Sequence, residues 1–207
     1  MTPAKMSKLD SNKYSKMKSE LKHPVSYQKM CQIKDAAKNT IGHSSPALEY
    51  ALKSSLKIYL YIDNQIEEME SKIIDIYNSL NCHIHTIKGI GILTAAGILS
   101  EVGNFNKFLT PAQLQAYAGL EPSKNDSGEK IGNGKMVKHG SSYLRKYLMN
   151  SASAFYVFNP SISDFYRKKR NEGKDHRVAL SHVSRRLINT IFYLEKHNQD
   201  FDSKLVK

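Results

Sequence analysis

Apolar side chains recur at mostly alternating steps of three and four residues between positions 46 and 80, and no Gly or Pro lies between Pro46 and Leu80. This spacing is typical of the seam of a coiled coil. Ser45 and Pro46 predict the start of the helix, because serine is a good cap and proline suits the first helical position. The helix would be roughly 50 Å long. Its seam consists of Leu48, Leu52, Leu56, Tyr59, Ile62, Ile66, Met69, Ile73, Ile76 and Leu80.

Two interpretations of this helix stay open at the level of sequence. It is either a core helix of one domain or an oligomerisation helix, because a seam this narrow needs only one partner helix. On the second interpretation, residues 46–80 would join copies of the chain in a homo-oligomer.

Further patterns predict shorter helices downstream. We expect one at 92–102, ended by Gly103, and another that starts at Thr110-Pro111 and ends at Gly119. Two more are predicted at about 142–158 and 161–171. The last helix has an apolar stripe that we expect to lie in the core, formed by Ala179, Val183, Leu187, Ile191 and Leu194.

These elements predict a mainly α fold, in which a coiled-coil-like helix is followed by a small helical domain. Residues 1–45 are rich in lysine and sparse in large aliphatic side chains, and we interpret them as a basic segment left from a linker. The coiled-coil helix would occupy 46–82, the domain 83–200 and a tail 201–207. We find no internal repeat.

The composition indicates an anionic partner. The chain has 31 Lys and Arg against 19 Asp and Glu, a formal net charge of +12. Such a balance favours salt-sensitive association with polyanions, DNA above all. Two cysteines, no secretory signal and no run of about 18 apolar residues indicate a protein of a reducing cytoplasm rather than of a membrane.

Residues 87–91, Ile-Lys-Gly-Ile-Gly, have the form of the hairpin in helix-hairpin-helix modules. Gly89 and Gly91 would let the backbone turn tightly. The next helix would then offer free N–H groups to a phosphate, and Lys88 would add charge. The alternative is a plain tight turn between two packed helices.

A long basic loop follows at 121–140, a length that is usual for a functional or a disordered segment. Its Asn133-Gly134 pair would suit a short β-hairpin. The cations that we interpret as DNA contacts here are Lys124, Lys130, Lys135, Lys138 and His139, with Arg145 in the following helix.

Ser127 is the candidate nucleophile of this loop. A serine that attacks phosphorus must be exposed, and it needs nearby cations and a group that takes its proton. Gly128 and the lysines favour the first two conditions, and His139 and Asp126 are candidates for the third. Asn-Asp-Ser-Gly is equally ordinary turn chemistry.

The C-terminal helices hold the remaining candidates. Arg167 and Lys168 belong to a basic run that is either a solvated helix end or a phosphate-contacting patch. Arg185 lies on a polar stripe that either faces solvent or follows a nucleic-acid backbone. Residues 82–85 include Cys82, His83 and His85, which we interpret as a junction between helices because structural zinc usually needs a second ligand pair. We therefore predict no metal site.

The order of several motifs resembles the C-terminal transposase domain of the insertion-sequence one-ten family, over about residues 46–197. The motifs are Ile-x-Gly-Ile-Gly, "AAGILSEVGNFNKF", "AYAGLEPSKNDSG", "KHGSSYLRKYL" and "KDHRVALSHVSRRLINTIFYL". These bacterial and archaeal DEDD transposases are also described as serine recombinases guided by a bridge RNA. The resemblance implies that Ser127 is the nucleophile and forms a phosphoserine link to DNA during strand exchange.

The chain departs from that family at one point. Full-length members carry an N-terminal RuvC-like domain whose acidic residues hold magnesium, and we find no such domain here. We therefore expect a truncated or split transposase with no cofactor of its own, and Mg²⁺ only in the missing domain. The alternatives are a non-catalytic DNA- or RNA-binding module and an oligomerisation remnant of a decayed transposase.

Overall fold

The structure is a computed structural model that describes residues 3–20, 24–41, 45–121, 126–127, 130–131, 136–137 and 139–203. It confirms the mainly α fold. The α-helices in these ranges are α1 (Pro3–Met6), α2 (Ser11–Glu20), α3 (Tyr27–Lys38), α4 (Pro46–Ser79), α5 (Ile92–Val102), α6 (Pro111–Tyr117), α7 (Ser142–Phe158), α8 (Pro160–Asn171) and α9 (His176–His197). Two 3-10 turns, Ile84–Thr86 and Phe105–Lys107, and two short strands, β1 (Asp126–Ser127) and β2 (Lys130–Ile131), complete them.

The chain divides into two compact units within α4. The first unit, Met1–Glu67, contains α1 to α3 and the first part of α4. Leu9, Tyr14 and Met30 form its small apolar cluster. The Lys34 Nζ donates to the Leu9 carbonyl over 2.6 Å, which links α3 to the segment between α1 and α2.

Helix α4 begins where the sequence predicts. The Ser45 hydroxyl accepts a hydrogen bond from the Leu48 N–H over 3.4 Å, and Pro46 is the first helical residue. All ten seam residues are 42% to 69% exposed, so none of them lies in a core of this chain. The interpretation of α4 as a core helix is therefore wrong for its seam. Tyr77, which lies off the seam, is buried.

The second unit, Glu68–Lys207, contains the main core. Helix α7 packs against α5, α8 and α9, and α9 also packs against α6. The predicted stripe of α9 is confirmed, because Ala179, Val183, Leu187, Ile191 and Leu194 are at most 1% exposed. Phe155 and Leu144 of α7 are fully buried beside them in the same cluster.

Side-chain caps explain the helix boundaries in this unit. Thr110 accepts from the Gln113 N–H ahead of α6, and Ser141 accepts from the Leu144 N–H ahead of α7. Asp175 does the same for α9 through the Arg177 N–H. Helix α5 ends at Gly103, whose φ is +71°. The local signals read from the sequence therefore set the bounds of α5, α6 and α7.

The end of α9 and the residues after it are tied back to the segment ahead of α5. The Glu195 Oε1 accepts from the His83 N–H over 2.7 Å, and the His83 Nδ1 lies 2.8 Å from the Asp200 Oδ1. The Phe201 N–H donates to the Thr86 hydroxyl over 2.8 Å. We call these three contacts the C-terminal tether.

None of the described helices combines the length and the apolar character that crossing a membrane requires.

Candidate nucleic-acid interface and serine loop

One side of the turn at 87–91 packs into the core, and the other side is exposed to solvent. The Ile90 N–H donates to the Ile87 carbonyl over 3.0 Å, and both isoleucine side chains are buried. Lys88 and Gly89 are exposed at its tip. A three-residue 3-10 turn, Ile84–Thr86, occupies the place of the first helix of a helix-hairpin-helix module.

The two glycines of this turn have different roles. Gly89 has a φ of +91°, and a Cβ there would lie 2.7 Å from the Ala154 Cβ and 2.8 Å from the Phe158 ring. Gly91 has a φ of −76°, and a Cβ there would meet open space. The prediction that both glycines allow the tight turn is therefore supported at Gly89 only. Gly91 is the N-cap of α5, and no side chain caps that end of the helix.

The ends of the long loop meet at a defined neck. The Ser141 N–H donates to the Tyr117 carbonyl over 2.9 Å, and the Val137 N–H donates to the Glu121 carbonyl over 3.0 Å. Gly140 has a φ of +99°, and a Cβ there would lie 2.1 Å from the Tyr117 carbonyl oxygen. We call these residues, with Glu101, Ala118 and Arg145, the loop neck. Only glycine fits position 140 without displacing the backbone that closes the neck.

Within the loop the structure describes a short antiparallel pairing of β1 with β2. Its partners are Asp126 with Ile131 and Ser127 with Lys130. Asn133-Gly134, the pair predicted to form the turn, lies outside the described residues.

The structure describes the predicted loop residues to different extents. For Ser127 and Lys130 it describes the backbone, which places them opposite each other in the hairpin. Lys124, Lys135 and Lys138 lie outside the described residues. His139 is exposed and lies next to the neck.

Arg145 belongs to the neck. Its Nη1 donates to the Ala118 carbonyl over 3.0 Å, and its side chain is partly buried. This contact links the first turn of α7 to the end of α6. Arg145 thus holds the neck whether or not it also contacts a nucleic acid.

The C-terminal end of α8 presents cations on the surface. Arg167 is exposed and lies 4.0 Å from Asp164, and Lys168 is exposed as well. Lys169 is paired at 2.8 Å with Glu172, and this hydrogen bond holds the pKa of the Glu172 carboxyl below its usual value. Arg167 and Lys168 thus both face solvent at the end of α8.

Arg185 is in a different environment from Arg167. It is partly buried on α9, and its Nη2 donates to the His182 Nδ1 over 2.7 Å. Burial lowers the pKa of His182, and the adjacent Arg185 lowers it further, so a neutral ring accepts this bond. Along the predicted polar stripe, Arg177 and Asn189 are exposed, whereas Arg185 is partly engaged within the chain.

The Cys82–His85 segment is part of a hydrogen-bonded junction between α4 and α9. The Tyr77 hydroxyl contacts the Cys82 Sγ and the His85 Nδ1, each at 3.1 Å. Burial raises the pKa of the Cys82 thiol to about 11, so it stays protonated and donates to the Glu195 carboxylate over 3.3 Å. Among the residues that the structure describes, no group of three His, Cys, Asp or Glu side chains could hold a metal ion.

Two features of this region were not identified from the sequence, the loop neck and the C-terminal tether. A signal for the neck was present, since Glu101 is the only charged residue in α5. Its partner Ser141 is 40 residues away, however, and no local pattern connects the two.

The comparisons with known proteins concern this region. Residues 82–167 match the profile of the Transposase IS116/IS110/IS902 family. This segment contains the turn at 87–91, Ser127 with its loop, the whole neck and Arg167. The match covers the central part of the chain.

Several curated proteins are similar to the chain. An uncharacterised 43.6 kDa protein of insertion element IS110 from Streptomyces coelicolor is 31% identical over 58% of this chain and 30% of its own length. An uncharacterised 44.8 kDa protein of IS116 from Streptomyces clavuligerus is 27% identical over 69% and 36%. The pilin gene-inverting protein of Moraxella bovis is 25% identical over 76% and 54%. The chain thus spans about a third to a half of the length of these relatives.

Proposed function

We propose that this chain, whose central segment matches a family of insertion-element transposases, is a DNA-binding transposase or recombinase component that contributes Ser127 to strand cleavage and exchange. The proposal rests on the observation that the segment matching the family also contains the loop neck. The matched segment, residues 82–167, includes the serine, both ends of its loop and the contacts that close it. The similarity to a pilin gene-inverting protein supports DNA as the substrate.

The proposed chemistry is a transesterification at a DNA phosphate. The Ser127 hydroxyl oxygen forms a new P–O bond while the bond from phosphorus to one DNA oxygen breaks. The serine proton passes to a base, and the departing DNA oxygen takes up a proton. Because the number of phosphoester bonds is unchanged, the reverse reaction can rejoin the strand to a new partner.

The described residues support the positioning part of this proposal. The neck fixes where the loop leaves α6 and where it enters α7. Lys88 is exposed at the tip of the turn and adds positive charge there, and His139 is exposed beside the neck. We propose a guide RNA as a second partner of these cations, because RNA and DNA present the same phosphate chemistry.

The magnesium site that the family resemblance implies does not fit the described residues, which offer no cluster of three potential ligands. We propose that an acidic metal-binding domain of the kind that the resemblance implies complements the serine.

The proposal predicts a strong dependence of DNA affinity on salt. Replacing Arg167 and Lys168 by glutamine should reduce the slope of log K against log salt concentration by about two, since each phosphate contact contributes about one. Fluorescence anisotropy titrations between low and physiological salt measure this slope. The exposure of both side chains at the end of α8 is the structural reason.

The matched control removes the same charge from α4 through Lys53→Gln and Lys57→Gln. This variant should keep the slope of the unmodified chain. An equal loss of slope in both variants would show that only net charge matters, and a flat salt response of the unmodified chain would count against any nucleic-acid role.

We further propose that α4 joins copies of the chain. Its seam is exposed throughout, and Ile58, Leu60 and Tyr61 beside the seam are exposed as well. Five consecutive apolar residues, 58–62, thus face solvent in a single copy, which is a wider apolar surface than one narrow seam. A helix with this much exposed apolar surface needs a partner to shield it.

Substitutions in the seam test this assembly. The double variant Leu56→Lys and Ile66→Lys should shift the mass measured by multi-angle light scattering to that of a single chain. The control, Asn64→Lys with Ser71→Lys, adds the same charge at exposed positions on the opposite side of α4 and should keep the assembly. A single-chain mass for the unmodified protein at micromolar concentration would contradict the proposal.

A further inference from the structure

Glu101 is the acidic residue of α5 and lies at the loop neck. Its carboxylate Oε2 accepts a hydrogen bond from the Ser141 hydroxyl over 2.6 Å. Its backbone carbonyl accepts from the Tyr117 hydroxyl over 3.2 Å. Glu101 therefore contacts the last residue of α6 and the capping residue of α7, the two helices that the loop connects.

The Ser141 hydroxyl has two roles that depend on Glu101. Its oxygen accepts from the Leu144 N–H over 3.0 Å and so caps α7, while its single hydrogen points to Glu101. A hydrogen bond to a charged acceptor is stronger than one between neutral groups. Glu101 thereby fixes the Ser141 side chain in the rotamer that caps α7, next to the backbone bond from Ser141 to Tyr117.

The surrounding contacts make the neck sensitive to this bond. Gly140 leaves no room between its own backbone and the Tyr117 carbonyl, so a shift of Ser141 displaces both ends of the loop together. The Val137 N–H, four residues before Ser141 in the chain, donates to the Glu121 carbonyl. A change at Glu101 is thus transmitted to the first and the last residues of the loop.

We propose that Glu101 is a positioning residue for the serine loop, which acts through Ser141 and Tyr117 and contacts neither the nucleic acid nor the reacting atoms. This inference rests on the proposed function of Ser127. It assigns a role to an acidic side chain in a strongly basic chain, and that role is to orient the loop rather than to bind a metal or a base.

The test compares Glu101→Ala with Glu101→Gln. The amide oxygen of glutamine can still accept from Ser141, whereas alanine cannot. We expect Glu101→Ala to speed hydrogen exchange of the Ser141 and Val137 amides roughly tenfold and Glu101→Gln to change it by less than about threefold. Ser100→Ala is the control on the same helix, since the Ser100 hydroxyl donates within α5, to the Gly97 carbonyl, and it should leave the exchange unchanged.

A second readout measures function. Glu101→Ala should lower the yield of covalent protein–DNA adduct about tenfold, while DNA affinity changes much less and the melting temperature stays close to that of the unmodified chain. Glu101→Gln should restore most of the yield. The effects of Glu101→Ala and Ser141→Ala should be clearly less than additive, because each removes the same bond.

The two readouts fail separately. If the unmodified protein forms no adduct, the proposed function fails while hydrogen exchange still reports on the neck. Unchanged exchange in Glu101→Ala, equal exchange in the alanine and glutamine variants, or additive effects with Ser141→Ala would each overturn the role of Glu101.

Discussion

Replacement of Ser127 by alanine is expected to abolish the covalent protein–DNA adduct and to leave DNA affinity within about twofold of the unmodified chain. The nucleophile is the one atom whose loss removes the covalent step altogether, and the rate should fall by at least about 10³-fold. Binding should persist because it depends on cations distributed over several elements. Denaturing electrophoresis of protein with labelled DNA measures the adduct, with a magnesium-binding RuvC-like domain supplied.

Ser123→Ala is the matched control, because Ser123 lies four positions earlier in the same loop. Its adduct should form at the rate of the unmodified chain. An adduct that persists in Ser127→Ala would assign the nucleophile elsewhere. Absence of any adduct with the unmodified chain under these conditions would favour a non-catalytic nucleic-acid-binding module.

Replacement of Gly140 by alanine should be the most destabilising single change at the neck. The new Cβ would lie 2.1 Å from the Tyr117 carbonyl oxygen and 2.9 Å from its carbonyl carbon, both backbone atoms that cannot rotate away. The φ of +99° adds strain for any residue with a side chain. We expect a loss of about 3 kcal/mol or more in the free energy of unfolding, measured by denaturant titration.

The variant Gly173→Ala separates the cost of backbone strain from the cost of a steric clash. Gly173 has a φ of +76°, and a Cβ there would meet nothing within 4 Å. Its replacement should cost about 1–2 kcal/mol, the cost of the left-handed backbone alone. Similar losses at both glycines would show that the neck does not close as the structure places it.

The helices were predictable because their signals are local. Proline at the first helical position, Thr and Ser caps, and the glycine after α5 each act within four residues. The stripe of α9 was predictable for a related reason, because its period of 3.6 residues shows in the sequence which side faces the core. The hairpin predicted at Asn133-Gly134 lies outside the described residues. Strands of two residues each, such as β1 and β2, are too short to show an alternating pattern in the sequence.

The organisation of the candidate site was less predictable. Ser127 was identified through resemblance to a family and through the loop that carries it, whereas nothing local indicated that Glu101 would contact Ser141. Arg185 shows the same limit. Its position four residues from its neighbours on the polar stripe could be read from the sequence. Only the packing of the folded chain shows that Arg185 donates a hydrogen bond to His182.

The C-terminal tether has a consequence for engineering of the second unit. Its three hydrogen bonds join residues that are between 112 and 117 positions apart in the chain. Segments so distant in sequence and so close in space favour circular permutation, in which a short linker connects them and new termini open elsewhere. A permuted chain that begins between α8 and α9 would keep the serine loop uncut. A fluorescent reporter could then be attached at the new ends.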